Sequence, residues 1–129
     1  MHRWFLMAGA LLGALSVALG AFAAHGLRQI VTPETVAIFE TGVRYQFYHV
    51  FAILAVGILY EKFPGILLRW AGNCFFFGIL LFSGSLYLLT ALKNSDGPIV
   101  QKIGFITPFG GLFFIAGWIL MLFAFIRKS

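Results

Sequence analysis

Four long stretches almost free of charge leave this chain little choice of environment. About 20 apolar residues, each rising 1.5 Å, cross the hydrocarbon core of a bilayer. Stretches of that order lie at about 4–24, 33–60, 70–92 and 104–126. Only 10% of the residues are charged and 61% are hydrophobic, whereas a soluble domain is about a quarter charged. Too few polar side chains remain to cover a water-facing surface. The expected fold class is therefore all-α: a four-transmembrane-helix bundle with up-down connectivity. It forms a single domain over 1–129, multi-pass in the cell membrane.

The formal charge of +5 does not point to nucleic acid. The basic residues stand singly or in pairs at the ends of apolar runs, where they anchor and orient helices. With four spans both termini share one side, with Arg3, Lys62, Arg69, Arg127 and Lys128. The other side carries Arg28, Arg44, Lys93 and Lys102. The small excess predicts cytoplasmic termini, and it grows if Arg44 lies within the membrane. Ala21-Phe22-Ala23 resembles a signal-peptide cleavage site, but the first apolar stretch exceeds an ordinary signal core, so an uncleaved first span is expected. The single cysteine, Cys74, has no internal disulfide partner and reads as a packed thiol.

Local punctuation supports these boundaries. Thr32-Pro33-Glu34 has the character of a helix start: a capping hydroxyl, a proline whose missing N–H is not needed, and an acid at the positive dipole end. A helix from Pro33 to Tyr60 has about 28 residues, or roughly 42 Å, more than a straight crossing requires. Its N-terminal part, with Glu34, Glu40 and Arg44, must then lie at the interface or enter the bilayer with its charges paired. Glu61 to Gly65 reads as a turn, Arg69 and Trp70 as the anchor of the third span, and Lys93 to Pro98 as a loop. Thr107-Pro108 is either a second capped helix start or a kink in a helix that began near Ile103. Thr-Pro thus recurs, but its surroundings do not align as a repeat. Gly9, Gly13 and Gly20 in the first span, and Gly110, Gly111 and Gly117 in the fourth, are the small residues that let membrane helices approach closely.

The polar residues inside the spans are the candidate site. Glu40 and Arg44 are four apart, the better order for a helical ion pair, and Tyr45 and His49 repeat that spacing. An ionisable group at membrane depth is costly, by about 2.5–3.5 kcal/mol for Arg or Asp on insertion scales, and persists when paired or needed. Up-down connectivity brings His25, Glu40, Arg44, Tyr45 and His49 into one half of the bundle, with Ser83, Ser85, Tyr87 and Thr107 at similar depth. This cluster is either a hydrogen-bond network that fixes packing or a polar cavity for a small ligand, a lipid headgroup or a proton. The three histidines share no metal-ligand spacing, no phosphate loop occurs, and no nucleophile–base arrangement can be read.

Four motifs in order resemble the YgdD-like family of small membrane proteins, which has bacterial and animal members and no assigned function. They are Gly20-Ala21-Phe22-Ala23-Ala24-His25-Gly26-Leu27, Glu40 through His49, Leu81 through Tyr87, and Ile106 through Gly111. The resemblance covers nearly the whole chain. It implies four transmembrane helices and an uncleaved first span, and brings no reaction, cofactor or catalytic residue. The leading expectation is a non-enzymatic membrane protein that packs with itself, with lipid or with a larger membrane assembly. The alternative is binding or transport of a small ligand, lipid or proton through the polar cluster.

Overall fold

A computed structural model of the chain describes residues 1–92 and 98–128. Its elements are α1 (Arg3–Ala24), a short 3-10 turn (Leu27–Gln29), α2 (Pro33–Leu59), α3 (Ile66–Gly78), a π-helical stretch (Ile79–Ser83), α4 (Gly84–Ala91) and α5 (Pro98–Lys128). The third span is continuous through α3, the π-helical stretch and α4. Four helical runs are long and apolar enough to cross a membrane, and the described residues contain no strand. The fold is the all-α four-span arrangement read from the apolar runs. The expected Lys93 loop falls on residues 93–97, outside the described residues.

Helix ends follow local chemistry. At α2, Thr32 Oγ1 accepts from the Thr35 N–H at 3.3 Å, with Pro33 in the first turn and Glu34 beside it. The third span begins at Ile66 and not at Arg69–Trp70, because the chain reverses immediately before it. Gly65 there has φ 143°, a conformation that side chains other than glycine's resist. Leu68, which the later start would have left in the turn, is 1% exposed. Arg69 instead turns back to donate to the Tyr60 hydroxyl at 3.2 Å.

The fourth helix starts at Pro98, before the expected 104, and carries Pro108 in its interior. Thr107-Pro108 therefore starts no helix. A proline has no N–H to give the carbonyl four residues back. Here that carbonyl belongs to Gly104, whose missing side chain leaves open space.

Packing follows chain order: α1 lies on α2, α2 on the third span, and α5 on the third span, with α5 also reaching α2 at His49. The middle helices are the more enclosed. Half of the apolar window of α2 is buried, against 22% of that of α1. The glycines of α1 face α2. A Cβ on Gly9 would lie 2.6 Å from the Leu54 side chain, and those on Gly13 and Gly20 would touch Val50 and Val43. On the α5 side, a Cβ on Gly117 would lie 2.6 Å from the Phe75 ring, and one on Gly110 would collide with the Phe82 backbone. Gly111, expected on the same packing face, meets nothing within 4 Å. One residue is about 100° of helical rotation, so Gly111 looks away from the contact that Gly110 makes.

These contacts separate two adjacent glycines. Gly110→Ala must push two backbones apart and should destabilise the protein by about 1–3 kcal/mol. Gly111→Ala should be neutral or stabilising by up to about 1 kcal/mol, since alanine is the better helix former. Unfolding of both variants in bicelles, measured by steric trapping, checks the order.

Candidate functional site

α2 supplies the side chain that ties three spans together, and the expected cluster had omitted it. Gln46 is 2% exposed. Its Nε2 donates to the Leu12 carbonyl of α1 at 2.9 Å, and its Oε1 accepts from the Tyr87 hydroxyl of α4 at 2.6 Å. A carbonyl only accepts, so the amide orientation is set by Leu12. Ser16 Oγ donates to the same carbonyl at 2.8 Å. Gly42, one turn before Gln46, makes room for this link: a Cβ there would lie 2.9 Å from the Tyr87 ring.

The hydroxyls of the third span are matched in the same way. Ser83, fully buried in the π-helical stretch, donates to the Gly42 carbonyl at 2.6 Å. Ser85 donates to the Phe82 carbonyl at 2.8 Å, so the hydrogen between Ser85 and Thr107 of α5 comes from Thr107. Lipid offers no substitute partner for such groups, and leaving one bare costs several kcal/mol. Ser83 thus faces α2, and Ser85, two residues on and nearly opposite around the helix, faces α5.

His49 lies near the middle of α2 and is 5% exposed. Its Nδ1 is 2.8 Å from the Tyr45 carbonyl, and its Nε2 is 3.1 Å from the indole nitrogen of Trp118 on α5. The carbonyl only accepts and the indole only donates. The neutral Nδ1–H tautomer is the form that satisfies both. The ring stacks flat on Phe114, with centroids 3.6 Å apart at an interplanar angle of 7°, and Phe75 closes another side at 5.6 Å.

The expected cluster therefore divides. His49, Ser83, Ser85, Tyr87 and Thr107 each make hydrogen bonds inside the bundle, Ser85 and Thr107 with each other and the rest with other partners. His25, Arg44 and Tyr45 are exposed, and Glu40 is half-buried. The Glu40–Arg44 ion pair does not form. Among the described residues the ion pair found joins the Met1 ammonium to Glu61 at 4.0 Å, at the opposite end. Residues four apart differ by about 40° around a helix. Glu40 lines a cleft beside the α1–α2 connection, while Arg44 is exposed on the outside of α2.

Gln46 and Trp118 escaped the sequence reading. Gln46 had a signal, since Gly42, Gln46, Val50 and Ile53 share the helical spacing of a buried face. Trp118 had none, because its partner is distant in the chain. Half-buried Cys74 has no disulfide partner, and the described residues contain no group of three or more His, Cys, Asp or Glu side chains placed to hold a metal. Two clefts open toward the ends of the bundle. One, of about 320 Å³, lies between the α2–α3 turn and the end of α5. The other, of about 440 Å³, is the one that Glu40 lines, with Arg28. The interior groups can hold helices together, and the groups at the edge remain open to something outside the chain.

The Leu12–Gln46–Tyr87 link is measurable. Tyr87→Phe strands the Gln46 carbonyl and should cost about 0.6–1.7 kcal/mol, the range measured for hydrogen bonds between membrane helices. In the Gln46→Leu background the same change should cost less. A double-mutant cycle on unfolding in bicelles reads the coupling, and purely additive costs would remove the bond from the account.

Comparison with known proteins agrees with this architecture. The family model described as "Protein of unknown function (DUF423)" matches residues 19–111. A UPF0382 membrane protein of Staphylococcus haemolyticus is 38% identical, over 93% of each chain. The UPF0382 membrane protein YwdK of Bacillus subtilis is 39% identical over 95% of this chain and 96% of its own. The UPF0382 inner membrane protein YgdD of Escherichia coli is 38% identical over 97% of this chain and 91% of its own. No solved structure matches. Four apolar spans and relatives matched nearly end to end lead to one assignment: this multi-pass membrane protein belongs to the DUF423 family and is a relative of the UPF0382 membrane proteins.

Proposed function

We propose that the protein acts without catalysis, by contacts that the lipid-facing side of α2 makes within the cell membrane. The observation that carries this reading is Arg44, which is exposed and, among the described residues, has no ion-pair partner. It lies about 16 Å into a helix of about 40 Å, close to mid-depth. Tyr48, one turn further, is 53% exposed on the same side. A helical side chain leans toward the N-terminus of its helix, so Arg44 can lift its head toward the interface, but it still starts deep. A charge held there against the insertion cost points to a contact that uses it. The interior network does not compete for that role, because its donors and acceptors are already matched within the chain. The close-packing glycines give self-association no support: those of α1 are occupied by α2, and Gly110 and Gly117 by the third span.

The same reading places the termini in the cytoplasm. The terminal end carries Arg3, Lys62, Arg69, Arg127 and Lys128, so Arg44 projects toward the outer leaflet. Cysteines introduced at Lys62 and at Gln29, in a Cys74→Ser background, test this with an impermeant maleimide on intact cells. Labelling at position 29 and not at position 62 is expected, and the reverse pattern inverts the topology.

Arg44→Leu separates function from stability. It should leave the isolated protein as stable as before, or more stable by up to about 3 kcal/mol, because the charged group leaves the lipid face. A photo-crosslinking residue in place of Tyr48 should give a discrete adduct in native membranes, with protein or with lipid, that Arg44→Leu removes. No adduct, or one indifferent to Arg44, ends the proposal.

A further inference from the structure

We infer that the cleft between the α1–α2 connection and the first two turns of α2 is a binding site for the headgroup of a phospholipid bearing a primary ammonium. Arg28 would take the phosphate and Glu40 the ammonium. The inference deepens the preceding reading by naming a lipid class, and it rests on that reading's premise that the chain works by contact and not by catalysis.

The cleft has a volume of about 440 Å³ and is lined by Arg28, Val31, Pro33, Val36, Ala37 and Glu40. It holds one cation and one anion that are not paired with each other, since among the described residues the ion pair within 4.0 Å is elsewhere. Arg28 lies in the 3-10 turn and is exposed, at the height where α1 has ended and α2 has not begun. The end of a span faces lipid headgroups, and a guanidinium presents its donors in a fork that suits two phosphate oxygens. The Glu40 backbone lies about 10 Å further along α2, and its half-buried side chain leans toward the helix N-terminus, back toward Arg28. A carboxylate at that depth has lost part of its water, and an ammonium would restore both the charge balance and the hydrogen bonds.

The wall between the two charges is apolar. Val31, Val36 and Ala37 line it, and Val36 belongs to a buried cluster with Ala23, Leu27, Phe39 and Val43. The cleft is therefore backed by a packed surface. The dipole of α2 adds a weak positive potential at the rim, on the side assigned to the phosphate.

The charge pattern selects among lipids. An anionic glycerol headgroup gives Arg28 a partner and leaves Glu40 facing hydroxyls. A choline headgroup carries the cation but has no N–H for a carboxylate to accept. An ethanolamine headgroup, with phosphate and ammonium two carbons apart, supplies both partners.

Native mass spectrometry of the full chain, released from detergent with an equimolar mixture of ethanolamine, choline and glycerol phospholipids of matched acyl chains, tests this. The ethanolamine lipid should be the most retained. Arg28→Gln should lower retention of all three about fivefold, the factor equivalent to about 1 kcal/mol per basic residue at a lipid surface. Glu40→Gln should abolish the preference for ethanolamine over choline lipid and leave the remaining retention intact. A second measurement needs no variant: N-methyl, N,N-dimethyl and N,N,N-trimethyl ethanolamine lipids should be retained by the wild-type chain in falling order as N–H groups disappear. Equal retention across the methylation series, the greatest retention for the glycerol lipid, or a preference that survives Glu40→Gln would overturn the inference. Its failure is distinguishable from that of the broader reading, which stands or falls on the Arg44-dependent adduct at position 48.

Discussion

Inside a bilayer a polar group has no water to fall back on, and the placement of Gln46 shows how this chain meets that constraint. Its amide joins a backbone carbonyl of α1 to a phenol of α4, so one side chain of α2 specifies how three spans stand relative to one another. Apolar packing alone would not do this, because lipid tails compete equally well for a leucine surface. Ser83 on Gly42 and Trp118 on His49 extend the same solution along α2, toward the third span and toward α5. α2 is thus the post around which the others are registered, which agrees with its being the most enclosed span.

Close approach and hydrogen bonding depend on each other here. Tyr87 reaches Gln46 because Gly42 carries no side chain, and α5 comes close enough to the π-helical stretch for Thr107 to meet Ser85 because Gly110 lies directly over Phe82. The two serines of the third span, two residues apart and so on opposite sides of the helix, meet different neighbours. Gly9, Gly42, Gly110 and Gly117 therefore each stand against a named neighbour within this chain, whereas Gly111 faces open space.

Three charged groups stand outside this economy at one end and on one face. Arg28 and Glu40 share a cleft without meeting each other, and Arg44 stands on the lipid side of α2. Groups of this kind destabilise an isolated membrane protein. Their contrast with the matched interior is the physical ground for locating activity at the edge of the bundle and not at its centre.

Much of the fold was legible in the sequence. Span number and helical class follow from the length of the uncharged runs, because hydrocarbon admits few other structures. The start of α2 follows from Thr32-Pro33-Glu34, because capping is a local matter. Turn-to-turn spacing and alternating span direction put His49, Ser83, Ser85, Tyr87 and Thr107 in the expected cluster, but they left out Gln46 and included the exposed His25, Arg44 and Tyr45. Tertiary structure alone decided who meets whom. His49 could have joined Glu40 and Arg44, but stacking on Phe114 and the bond to Trp118 turned it inward. Glu40 and Arg44 had the spacing to pair, yet Glu40 lies at the cleft beside the α1–α2 connection and Arg44 stands exposed without it. The π-helical turn and the partner of Trp118 left no mark in the sequence at all. Spacing along a helix sets the height of a side chain and roughly its direction, but the neighbour it finds depends on the rotation and translation of whole helices, which no local pattern encodes.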